Sequence, residues 1–171
     1  SIEWYTIAAE QGNSDAQNNL GRIYCEGRGV AQDYETAYEW YNAAAQKGNC
    51  DSQTNLGIFY YRGHGVQQDY KTAREWFTLA AEQEVAQAQH NLGVISKHGK
   101  GVPKDYKIAH EWFMLAAEQG HSAAQYELGL NYAIRKGILR GYIYQYSIKI
   151  GLRLVSLPLK LLGAILKKLT P

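Results

Sequence analysis

One phrase is written three times in this chain at a fixed interval. "LGRIYCEGRGVAQDYETAYEW" starts at Leu20, "LGIFYYRGHGVQQDYKTAREW" at Leu56 and "LGVISKHGKGVPKDYKIAHEW" at Leu92, each 36 residues after the last, and Leu128 with Gly129 begins the phrase again. All four tryptophans keep the register, Trp4, Trp40, Trp76 and Trp112 falling in one column, as do the alanine pairs that begin at Ala8, Ala44, Ala80 and Ala116. A fixed period of this size marks stacked supersecondary units, none of which buries its apolar face alone. That excludes an ordinary single-core fold before any other feature is weighed.

Within a unit two helical patterns separate. The first sets Ala16, Leu20, Ile23 and Tyr24 on one face at spacings of three and four. The second, over residues 33–47, does the same with Ala37, Trp40, Tyr41 and Ala44, and Asp33 stands where a helix start wants an acceptor and a negative charge. Between them "EGRGV" supplies glycines for a tight turn, and Gly48 with Asn49 closes the second helix before the next unit. Glycine inside the first helix, at Gly21, Gly57 and Gly93, is a poor helix former. Its expected return is close approach by a neighbouring helix, with the tryptophans buried in the wider gaps. Ser1 falls in mid-phrase, so the chain reads as a piece of a longer repeat array.

The residues "A-x-x-x-L-G-x-x-Y", "G-x-G-V-x-x-D-Y-x-x-A-x-x-W" and "A-A-E-Q-G", at 16–24, 27–40 and 116–120, resemble the Sel1-like repeat family, relatives of the tetratricopeptide repeats. The resemblance covers residues 2–137 and implies an all-α fold, an α-solenoid of stacked antiparallel helix pairs with a 36-residue period. Three departures stand out: Glu84 where Gly12, Gly48 and Gly120 stand, Ser96 in the column of Tyr24, Tyr60 and Tyr132, and Arg135 in that of Gly27. Local loosening is expected in the third unit and the last.

Catalytic chemistry is hard to find. The histidines His64, His90, His98, His110 and His121 share no repeat column and make no metal-spaced pair. His64 and His98, in or beside the loops, read as solvated. Asp33, Asp69 and Asp105 recur with the architecture, so helix capping explains them better than catalysis. "GRGV", "GHGV" and "GKGV" lack the spacing and preceding strand of a phosphate loop. Cys25 and Cys50, one near the end of a first helix and the other before the next, are expected as free thiols. Some relatives are secreted and rich in disulfides; the departure from them points to a reducing, cytoplasmic setting. No enzyme activity, cofactor or nucleic-acid partner is expected.

Recognition is then assigned to what varies between copies. On the first helices the positions out of phase with the core are Asn18, Arg22 and Cys25, then Thr54, Ile58 and Tyr61, then His90, Val94 and Lys97, then Tyr126, Leu130 and Ala133. Asn19, Asn55 and Asn91 form a ladder beside them, with amides able to bond an extended backbone. The resemblance implies that first helices line a groove holding a partner peptide or helix. Asn18, Arg22, Asn55, Tyr61, His90, Asn91, Lys97 and Tyr126 are the expected contacts of a non-enzymatic scaffold or adaptor. The alternative is the repeat region of a larger enzyme or signalling protein.

Charge divides the chain. Residues 1–127 hold ten basic and all sixteen acidic side chains, net −6; residues 128–171 hold eight basic and no acidic ones, net +8. From 138 onward the phrase dissolves. Leu157, Leu161, Ile165 and Leu169 mark one face of a basic amphipathic helix near the end. Three readings of this tail stay open: a cap on the last hairpin, which is favoured, a contact with an anionic membrane surface, or a degenerate repeat.

Overall fold

Asp33 shows how a second helix begins. Its backbone is extended and its carboxylate accepts from the backbone N–H groups of Glu35 and Thr36; Asp69 accepts from Lys71, and Asp105 from Lys107 and Ile108. Thr36 and Thr72 each donate a hydroxyl to the other carboxylate oxygen at 2.6 Å. The capping role read from the sequence is therefore the observed one. First helices start differently, with Asn13 and Asn49 accepting from Ala16 and Ser52, and they end at left-handed glycines such as Gly63, at φ 75°.

The computed structural model describes residues 2–136, with side chains to Gly129. Eight helices fall in this range: α1 (Ile2–Glu10), α2 (Ser14–Glu26), α3 (Tyr34–Ala45), α4 (Cys50–Arg62), α5 (Tyr70–Glu82), α6 (Ala86–His98), α7 (Tyr106–Glu118) and α8 (Ser122–Lys136). Two units divide the chain, Ser1–His121 and Ser122–Pro171, the second described only through α8. The tail assigned to residues 138–171 and the departure at Arg135 lie outside the described side chains. From α1 to α7 each helix packs on the next.

Each apolar cluster joins the second helix of one unit to the first helix of the following one. Ala37, Tyr41 and Ala45 of α3 meet Leu56 and Phe59 of α4. Ala73, Phe77, Ala80 and Ala81 of α5 meet Ala88, Leu92 and Ile95 of α6. No unit completes its core without its neighbour, which is why the phrase has to be repeated.

The tryptophans are not the buried aromatics. Trp40, Trp76 and Trp112 are half-buried, each leaning on the edge of one such cluster, and Trp4, with no earlier cluster among the described residues, is 73% exposed. The next residue is the one inside: Tyr41, Phe77 and Phe113 are all at most 2% exposed. They lie on the helix glycines. A Cβ added at Gly21 would sit 2.6 Å from the Tyr41 ring, one at Gly93 2.5 Å from Phe113, and one at Gly57 closer still to Phe77. Close approach thus offsets the poor helix propensity of these glycines, through the second helix of the same unit.

The loops also join units. Gly65, at φ 64°, lets the turn approach the preceding unit so closely that a Cβ would meet the Tyr34 carbonyl oxygen at 2.7 Å. Beside it His64 stacks on Tyr34 at 4.6 Å and meets Phe59 edge-on, so it is a half-buried junction residue and not a solvated one. Lys100, its counterpart one unit on, lies 5.1 Å above the Tyr70 ring.

Candidate functional site

On the first helices, the leucine and glycine columns face inward. Leu20, Leu56 and Leu92 are buried, whereas Arg22 is exposed and Ile58, Val94, Tyr61 and Lys97 are half-buried. Helical periodicity produces this split, because residues two or five beyond the leucine fall off the core-facing stripe.

The eight expected contact residues do not form one uniform ladder. Asn18 and Asn55 spend their amides on each other: Asn18 Oδ1 accepts from Asn55 Nδ2 at 3.2 Å and from Ser52 Oγ at 2.9 Å. Ser52 occupies a column that holds alanine at Ala16, Ala88 and Ala124, so this polar joint belongs to one junction alone. Thr54, expected on the same face, is buried and donates its hydroxyl to the Cys50 carbonyl. Arg22 extends into solvent with Nη2 on Asn19 Oδ1 at 2.8 Å, which orients the guanidinium.

Further along, the character changes. His90 packs 5.6 Å from the Phe113 ring and 4.8 Å from that of His121, whose Nε2 is 3.1 Å from Gln87 Oε1. Burial pushes the His121 pKa down. Asn91 Oδ1 accepts from Gln87 Nε2, and its own Nδ2 is buried without a partner. Tyr61 meets Tyr70 edge-on at 5.3 Å, near the loop end of α4. Tyr126, 57% exposed on α8, belongs to the second unit.

A buried glutamine column escaped the sequence reading. Gln17, Gln53 and Gln89 are at most 5% exposed. Gln17 and Gln53 donate to the carbonyls of Ala9 and Ala45 in the preceding unit, while Gln53 and Gln89 accept from Gln83 and Gln119 of their own. The signal was available: all three stand three residues before the leucine column. At the first unit Lys47 occupies the Gln83 position and turns to the Gly12 carbonyl, leaving Gln17 Oε1 unpartnered.

Reactive chemistry is muted. Cys25 and Cys50 are free thiols, and burial, followed by the charge of Glu26, pushes the Cys25 pKa up, away from thiolate. Tyr60 is pushed up to about 12, first by its hydrogen bond with Tyr38. Among the described residues no three His, Cys, Asp or Glu side chains gather as a metal site, and no helix is long and apolar enough to cross a membrane.

The Sel1 repeat model matches residues 1–13, 14–49, 50–85, 86–121 and 122–151. The chain belongs to the Sel1 repeat family. Three of these matches coincide with the helical pairs α2–α3, α4–α5 and α6–α7. Among solved structures, this Sel1 chain is similar to c5321, a protective antigen present in uropathogenic Escherichia coli strains and displaying an SLR fold. The TM-score is 0.78 at 39% identity, over 85% of this chain and 33% of that one. It is also similar to a Sel1 repeat protein from Oxalobacter formigenes, with a TM-score of 0.67 at 38% identity, over 74% of this chain and 52% of that one. The chain thus spans a third to a half of the length of these relatives. No curated protein sequence matches. Sel1 repeats typically build non-catalytic scaffolds for protein–protein interaction.

Proposed function

We propose that this Sel1 array is a docking scaffold whose first-helix face holds a partner peptide or helix. The observation that carries the reading is the contrast along α2, α4 and α6. The repeated glutamine, leucine and glycine columns (Gln17, Leu20 and Gly21 and their copies) are buried there, while the varying positions Arg22, Ile58, Tyr61, Val94 and Lys97 remain at the surface, Thr54 being a buried exception. Packing accounts for the first group and leaves the second available for recognition. A guanidinium already oriented by Asn19 loses less freedom on binding than an unrestrained arginine, which suits it as an anchor. The half-buried Tyr61 offers apolar area with a polar tip.

The test is affinity capture from cell extract with the full chain and with the Arg22→Ala, Tyr61→Ala, Lys97→Ala triple variant. Unchanged far-ultraviolet circular dichroism with loss of the captured partner is the expected result. Undiminished capture by a folded triple variant would place recognition on another face.

A further inference from the structure

Among the large apolar side chains exposed on the second helices, three recur in one column, which α3 interrupts with the half-buried Ala43. Ile7, Leu79 and Leu115 share one repeat column and are 49%, 43% and 45% exposed. On α5 and α7 each leucine lies between two exposed glutamates, Glu75 and Glu82 around Leu79, Glu111 and Glu118 around Leu115, at spacings of four and three that place all three on one helix face. The same pattern surrounds Ile7 on α1. None of these acids enters an ion pair among the described residues.

Helix electrostatics make this arrangement unfavourable for the isolated fold. Glu82 and Glu118 occupy the last turns of α5 and α7, where the helix dipole is negative, and neither last turn holds a basic residue. Lys71 and Lys107 lie in the first turns, four residues before Glu75 and Glu111, and Arg74 is also exposed on α5, so the excess negative charge lies beyond the leucines, at Glu82 and Glu118. On α5 and α7, in neighbouring units, an exposed leucine bordered by acids therefore recurs, and this pair complements one kind of surface. We propose that the outer face of α5 and α7 docks a cationic amphipathic helix of a partner protein. Its apolar side would cover Leu79 and Leu115, and its Lys or Arg side chains would meet Glu75, Glu82, Glu111 and Glu118. This surface is separate from the first-helix face and does not depend on it.

The probe is a fluorescently labelled amphipathic peptide of leucine and lysine, titrated into the full chain and followed by anisotropy. Saturable one-to-one binding is expected, weakening as salt rises from about 0.05 to 0.3 M. The Leu79→Ser/Leu115→Ser and Glu82→Lys/Glu118→Lys variants should each bind at least about tenfold more weakly, a difference of about 1.4 kcal/mol. The Arg22→Ala/Tyr61→Ala/Lys97→Ala variant should bind as the parent does. Affinity insensitive to the leucine pair would reduce the effect to general attraction by an acidic surface and overturn the proposal. So would equal loss in the first-helix variant. Self-association of the chain, abolished by the leucine pair, would give the face to a second copy and overturn it as well.

Discussion

Phe77 rests on Gly57 as Tyr41 rests on Gly21 and Phe113 on Gly93, and these ring-on-glycine contacts set the distance between the two helices of each unit. Removing the ring leaves a cavity: Phe77→Ala should cost about 3–5 kcal/mol in urea denaturation. Trp76→Ala should cost less, because its indole is half-buried, and Trp4→Ala should stay within about 0.5 kcal/mol of the parent. In the other direction, Gly57→Ala should destabilise by about 1–3 kcal/mol through overpacking. Equal losses for Phe77 and Trp4 would refute the assignment of inside and edge. The glycine column was legible in the sequence, but its partner was not. Positions 76 and 77 are only about 100° apart on a helix, so periodicity alone admits both to the core, and only the glycine's location selects one. Likewise the surface positions Arg22 and Tyr61 could be read from phase. That Asn18 and Asn55 would bind each other depends on Ser52, a single departure from an alanine column.

The element least consistent with its copies is the turn from α5 to α6. Glu84 has φ 62° where Gly12, Gly48 and Gly120 have φ 85–90°, and Val85 makes no side-chain cap where Asn13 and Asn49 do. The turn nonetheless keeps the backbone bonds of its counterpart, Val85 N–H donating to the Ala80 carbonyl as Asn49 N–H does to that of Ala44. Packing on both sides holds a glutamate in a conformation suited to glycine. Relief of that strain should outweigh the added freedom of the unfolded chain, so Glu84→Gly should stabilise by about 0.5–1 kcal/mol, read as a higher denaturation midpoint. A lower midpoint would contradict this.

Acid should act on the helix starts and on one turn, in separate windows. The carboxyls of Asp33 and Asp69 are held below the usual range, chiefly by the Thr36 and Thr72 hydroxyls. Their contribution is present above about pH 4 and is lost as pH falls through their lowered folded values. His121 titrates earlier. Burial lowers its pKa, so the neutral form favours the folded state; that contribution is present above about pH 6.5 and is lost as pH falls through the folded value. His121→Asn, the residue found at Asn13 and Asn49, should remove this component from a stability-versus-pH profile and leave the carboxylate limb unchanged.

At the scale of the whole molecule, neighbouring units supply each other's cores, and the proposed docking role assigns recognition to positions the stacking does not use. Both statements concern the same helices, so they are separable only by measuring stability and binding on the same variants. A single-substitution scan of α2, α4 and α6 in the full chain, scored in parallel for folded abundance and for capture of the natural partner, does this most directly. Substitutions at Leu20, Gly57, Gln53 and Leu92 should lower abundance, with capture falling only in proportion. Substitutions at Arg22, Tyr61 and Lys97 should leave abundance near the parent value and reduce capture. If the second group lowered abundance as much as the first, or left capture untouched, the division of labour between repeated and varied residues would be wrong.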